Sequence, residues 1–68
     1  MKTLKTITGK IIDIVANQSR RTFTIRVNKS KYRTNPMPKD EFEHAERNWT
    51  ANDWQNFLSS SGDYYNVK

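Results

Sequence analysis

Hydrophobic and polar positions alternate most clearly over Arg21 to Asn28, where Phe23, Ile25 and Val27 are interleaved with Thr22, Thr24 and Arg26. That two-residue period, in β-branched and aromatic residues, predicts a half-buried strand. The preceding stretch, Leu4 to Ala16, is also β-rich, and the polar Asn17-Gln18-Ser19-Arg20 between the two suits a hairpin loop. A four-residue loop pairs Ile14 with Phe23 and Ile12 with Ile25. A three-residue loop would set Asp13 against Phe23, a poorer match. The chosen register turns Ile7, Ile11 and Val15 to the face opposite Ile12 and Ile14. Either Gly9 marks a bulge that changes the inward side, or the second apolar face is covered by a helix or by another copy of the chain.

Asn28 to Lys31 is polar enough to turn, and Tyr32 to Thr34 then forms a short third strand ended by Pro36 and Pro38. Beyond Pro38 the period lengthens. Phe42, Ala45 and Trp49 fall at i, i+3 and i+7, one face of a helix that accepts Pro38 in its first turn, carries Asp40, Glu41 and Glu43 near its positive end and stops near Asn48. Thr50 and Asp53 have the spacing of a capping box, with Trp49 and Trp54 at the two staple positions. The second helix then buries Trp54, Phe57 and Leu58 and is released in Ser59-Ser60-Ser61-Gly62. Tyr64, Tyr65 and Val67 predict a last strand, with Tyr65 and Val67 on one side.

The expected fold is therefore α+β: a small antiparallel sheet in the order β-β-β-α-α-β, with two short helices packed on one face. Residues 1–68 make one domain, composed of a basic β-rich half (1–35), an acidic helical segment (36–61) and a final strand (62–68). With 68 residues, 34% of them hydrophobic and no cysteine, the chain has one thin core, and the aromatic rings are needed to fill it.

The net charge is +5, but the only acid before Asp40 is Asp13, whereas Asp40, Glu41, Glu43, Glu46, Asp53 and Asp63 follow. Such a split marks a polyanion-binding surface, or it lets the two halves attract each other or a second copy. The candidate polyanion-binding residues are Arg20 and Arg21 at the first turn, Arg26 pointing outward from its strand, and Lys29, Lys31 and Arg33 around Tyr32, whose ring would stack on a base. Six phosphate contacts would give a log-log salt slope of about −5. The same cations also keep a β surface solvated and discourage edge pairing.

Catalytic and metal chemistry find little support. His44, the lone histidine, lies one position off the helical stripe, which suits an exposed side chain better than a general base. The serine triplet lacks a strand-to-helix elbow, and the acids of the first helix read as a solvated face. No catalytic residue, cofactor, metal or small-molecule substrate is inferred. Met1 to Ile12 has neither the apolar run of a signal peptide nor the length of a membrane span, so a cytoplasmic location and no membrane partner are expected.

The stretch Tyr32-Arg33-Thr34-Asn35-Pro36-Met37-Pro38-Lys39-Asp40-Glu41-Phe42, with Asn52-Asp53-Trp54-Gln55-Asn56-Phe57-Leu58 and Asp63-Tyr64-Tyr65, resembles a group of small uncharacterised bacterial proteins of unknown function. The likeness covers the C-terminal two-thirds, and the chain departs from the group at Pro38, where the group has serine. It implies a small α+β fold and brings no catalytic or ligand-binding residue. Two functional expectations follow from the residues: a non-catalytic protein-interaction module that forms a homodimer through Ile7, Ile11 and Val15 or binds another protein, and, as the alternative, a nucleic-acid-binding protein that uses the basic β half.

Overall fold

Five strands and two helices follow one another as β1 (Lys2–Lys5), β2 (Ile11–Asn17), β3 (Thr22–Val27), β4 (Ser30–Thr34), α1 (Lys39–Asn48), α2 (Ala51–Ser60) and β5 (Tyr64–Asn66). The structure, a computed structural model, describes residues 2–60 and 62–67. Met1, Ser61 and Lys68, which the sequence places in the N-terminal segment, the serine-rich helix stop and the last strand, lie outside the described residues. The strands form one antiparallel sheet in the order β1-β2-β3-β4-β5. The helices are inserted between β4 and β5, so the chain leaves the sheet, crosses one of its faces and returns to the edge beside β4.

The α+β architecture is as expected, with one strand more. The β-rich segment before the first hairpin is two strands, because the chain reverses over Thr6 to Lys10. Thr6 closes that turn: its carbonyl accepts the Gly9 N–H at 3.0 Å, and its Oγ1 accepts the Lys10 N–H at 3.0 Å. Gly9 has φ +90, a conformation side chains rarely adopt, and it serves this turn and no bulge within a strand. The β2–β3 register is also displaced by two residues from the expected one. Ile14 faces Ile25 and Ile12 faces Val27, since the loop is Gln18 to Arg21, with Arg21 at φ 55. A slip of two preserves the alternation, so Ile12, Ile14, Phe23 and Ile25 still share one face.

That shared face holds the core. Phe23 is fully buried and stacks on Phe42 of α1 at 4.7 Å between ring centroids, while Trp54 of α2 meets it edge-on at 4.8 Å. Offset and edge-to-face contacts of this kind add to the burial of large rings. Helix α1 starts without a side-chain cap, on Pro38, and its first turn carries Asp40 and Glu41 beside the positive helix end. Helix α2 has the capping box. The Thr50 N–H donates to Asp53 Oδ2 at 2.8 Å, the Asp53 N–H returns to Thr50 Oγ1 at 3.3 Å, and Trp49 packs against Trp54 at 4.6 Å.

Candidate functional site

Because strand side chains alternate, fixing Ile12, Ile14, Phe23 and Ile25 beneath the helices fixes their neighbours on the other side. The cross-strand pairs build two rows there. One runs Thr3, Asp13, Arg26, Lys31, and the next runs Val15, Thr24, Arg33, Tyr65. Lys5 and Ile11 stand opposite each other beyond them. Both helices pack on the core side, so this face is open, as antiparallel sheets permit. Val15, Ile11 and Tyr65 are correspondingly 44%, 56% and 48% exposed. Of the three residues expected on a second apolar face of the first β-rich segment, Ile11 and Val15 thus lie exposed here, with Asp13 between them.

The face is also charged. Lys5, Arg26, Lys31 and Arg33 occupy its strand positions against one acid, Asp13, for a net +3. Helices α1 and α2 carry five acids, Asp40, Glu41, Glu43, Glu46 and Asp53, against Lys39 and Arg47, for a net −3. The charge split along the sequence becomes a split through the thickness of the domain, basic on the open side and acidic on the helical side. Asp13 is held in place by Thr3, whose Oγ1–H donates to Asp13 Oδ1 at 2.8 Å.

At the β3–β4 end of this face a hollow of about 540 Å³ is lined, among the described residues, by Arg26, Lys29 and Lys31 with Asn28, Ser30, Asn66 and Val67, none of them acidic. A second hollow, of about 240 Å³, lies on the face itself between Val15, Thr24, Arg26, Lys31 and Asp13. The two share Arg26 and Lys31. Cationic side chains therefore run from the β3–β4 turn onto the open sheet, where Asp13 lines the second hollow beside Arg26 and Lys31.

The structure divides the residues singled out from the sequence. Arg26, Lys29, Lys31 and Arg33 converge. Arg20 and Arg21 sit in the β2–β3 turn, beyond the opposite end of β3: at the rise of a strand Arg21 is about 17 Å from Arg26 and about 10 Å from Thr24, the ladder partner of Arg33. There the Arg20 N–H donates to Asn17 Oδ1, and the Arg21 carbonyl accepts the Met37 N–H. Ile11 and Val15 lie on the face, whereas Ile7 projects from the β1–β2 turn, 88% exposed. Tyr32 does not join the basic track: it faces Ile25 on the core side and meets Tyr64 edge-on at 5.4 Å. The aromatic ring on the basic face is Tyr65, directly opposite Arg33. Its side is set by the β4–β5 register, which the sequence does not display.

Among the other groups, His44 is exposed on α1, its Nδ1 3.3 Å from Asn48 Nδ2. Among the described residues there is no cluster of three or more His, Cys, Asp or Glu able to hold a metal ion, and no helix long and apolar enough to cross a membrane. Compared with known proteins, the chain matches no protein-family model, no curated protein and no solved structure.

Proposed function

We propose that this protein is a non-catalytic binding module that holds nucleic acid on the open face of its sheet. The observation that carries the reading is the convergence of Arg26, Lys31 and Arg33 on a surface no helix covers, continuous with the hollow at Lys29. Phosphate neutralisation by such cations, with release of counterions, is the main source of affinity in sequence-independent binding. The acidic helices repel the same ligand, so the charge split orients the domain with its sheet toward the strand.

The test is a titration of labelled oligonucleotides at low salt with the wild-type chain and with an Arg26→Ala/Lys31→Ala double variant. Wild-type binding that collapses in the double variant supports the reading; equal binding by both proteins sinks it.

A second reading, self-association through Ile11 and Val15, rests on their exposure on the same face. Two copies meeting face to face would bring two surfaces of net +3 together, so an isologous dimer has to overcome repulsion. That cost ranks it behind a polyanionic partner.

A further inference from the structure

Resting on the reading of the open face as a nucleic-acid surface, we infer that its ligand is a single strand, with one base stacked on the ring of Tyr65 and the flanking phosphates on Arg33, Lys31, Arg26 and Lys29.

Shape excludes the deep reading of a duplex. Five strands at the usual spacing make a face about 19 Å across, wider than the roughly 12 Å major groove. That groove admits a helix or a free two-stranded ribbon; the helices carry the acids, and the basic β3–β4 hairpin is flanked by β2 and β5 in the sheet. A duplex also keeps its base faces stacked on one another. A single strand leaves them free, and the basic face offers a ring to receive them. Tyr65 is 48% exposed on the edge strand β5, so a base reaches it from the side of the sheet without displacing any core residue.

Placement of the charges fits the same ligand. Arg33 lies directly across the ladder from Tyr65, and Lys31 lies two residues along β4, on the same face. Val67, the next residue of that face after Tyr65, donates its N–H to the Lys31 carbonyl, so the chain beyond β5 remains against β4 and keeps the ring beside both cations. From Lys31 the cations continue to Arg26, its cross-strand partner, and to the hollow at Lys29. A ring flanked by cations along an open path is how sequence-tolerant single-strand binding is assembled: charge tracks the backbone and an aromatic face takes a base of any identity.

The experiment compares four probes on the full chain: labelled oligo-dT, labelled oligo-U, a DNA duplex of equal length, and inorganic polyphosphate as a charge-only competitor. The two single strands share the recognised chemistry, and their comparison identifies which backbone is preferred. Variants are Tyr65→Ala and Tyr65→Trp, both checked for an unchanged circular dichroism spectrum. Expected is a preference of about ten-fold or more for at least one single strand over the duplex, lost in Tyr65→Ala and kept in Tyr65→Trp, with polyphosphate a weak competitor. Equal affinity for duplex and single strand, with Tyr65→Ala neutral, overturns the inference and leaves the nucleic-acid reading standing. Displacement by polyphosphate at equal phosphate concentration overturns it as well. No binding of any probe at low salt overturns both.

Discussion

Asp13 stands directly across the β2–β3 ladder from Arg26, in the middle of an otherwise basic face, with its carboxylate held by the Thr3 hydroxyl at 2.8 Å. Opposite charges facing each other across a ladder contribute some tenths of a kcal/mol to a sheet. The same pairing places a negative charge where an incoming phosphate would approach Arg26.

Replacing Asp13 by asparagine separates those two effects. The variant keeps the size of the side chain and an oxygen for the Thr3 hydroxyl, while the face gains a full unit of positive charge. Asp13→Asn should tighten oligonucleotide binding by about three-fold at low salt and lower stability by less than about 1 kcal/mol. Anisotropy titration and urea melts measure both. Weaker binding by the variant would contradict the placement of the ligand over Arg26.

Salt distinguishes the two possible occupants of the face by sign. Nucleic-acid binding weakens as salt rises, because fewer counterions are released into a richer solution. A face-to-face dimer of two positive surfaces strengthens as salt screens their repulsion. Sedimentation velocity across a range of chain and salt concentrations should show a monomer at low salt. An Ile11→Asp variant should sediment identically there; a dimer that it dissociates at low salt would favour self-association.

Thr34 closes the far end of the β3–β4 ladder from inside the core. It is 1% exposed, and its Oγ1 accepts the buried Phe23 N–H at 2.9 Å. Thr34→Val preserves the shape and strands that donor, which costs roughly 1–3 kcal/mol. Thr34→Ser retains the acceptor and gives up one methyl, close to 1 kcal/mol. The serine variant should therefore unfold at the higher urea concentration, and the reverse order would show that packing, and not the hydrogen bond, is what Thr34 supplies.

The cap of α2 gives a separate stability test. Thr50→Ala removes the Oγ1 that accepts the Asp53 N–H, and the expected loss is about 1 kcal/mol, or roughly 4–8 °C in melting temperature for a domain of this size. Thermal denaturation followed by circular dichroism reads it directly.

The capping box and the alternation of β3 were legible in the sequence because both are local: Thr50 to Asp53 spans one turn, and Phe23, Ile25 and Val27 repeat at the period of the strand. What escaped depends on partners. The two-residue slip between Ile14 and Ile25 leaves every side chain on the same face, so alternation has no power to detect it. The split of β1 from β2 had a signal in Thr8-Gly9, a turn-forming pair between two β-rich runs, and the +90° φ at Gly9 is what it served. The candidate site was half legible. Outward-pointing Arg26 followed from its own strand, but the side taken by Tyr65 depends on β4–β5 pairing across the inserted helices. Arg20 and Arg21 lie close to Arg26 in sequence and at the other end of β3 in space.

That placement sharpens the salt dependence, because one strand laid along the track meets Arg26, Lys29, Lys31 and Arg33 and leaves out the pair in the β2–β3 turn beyond Arg33. Four phosphate contacts on a single strand give a slope of about −3 in a plot of log affinity against log salt, shallower than the −5 or so expected if all six cations acted together on a duplex. The most direct measurement is that slope, from oligo-dT anisotropy titrations at several salt concentrations. A slope near −3 that shrinks by roughly 1.5 in Arg26→Ala/Lys31→Ala, and is unmoved by Arg20→Ala/Arg21→Ala, is the predicted result. Absence of binding at low salt, or a slope set by Arg20 and Arg21 instead, would contradict the assignment of the open sheet face as the site.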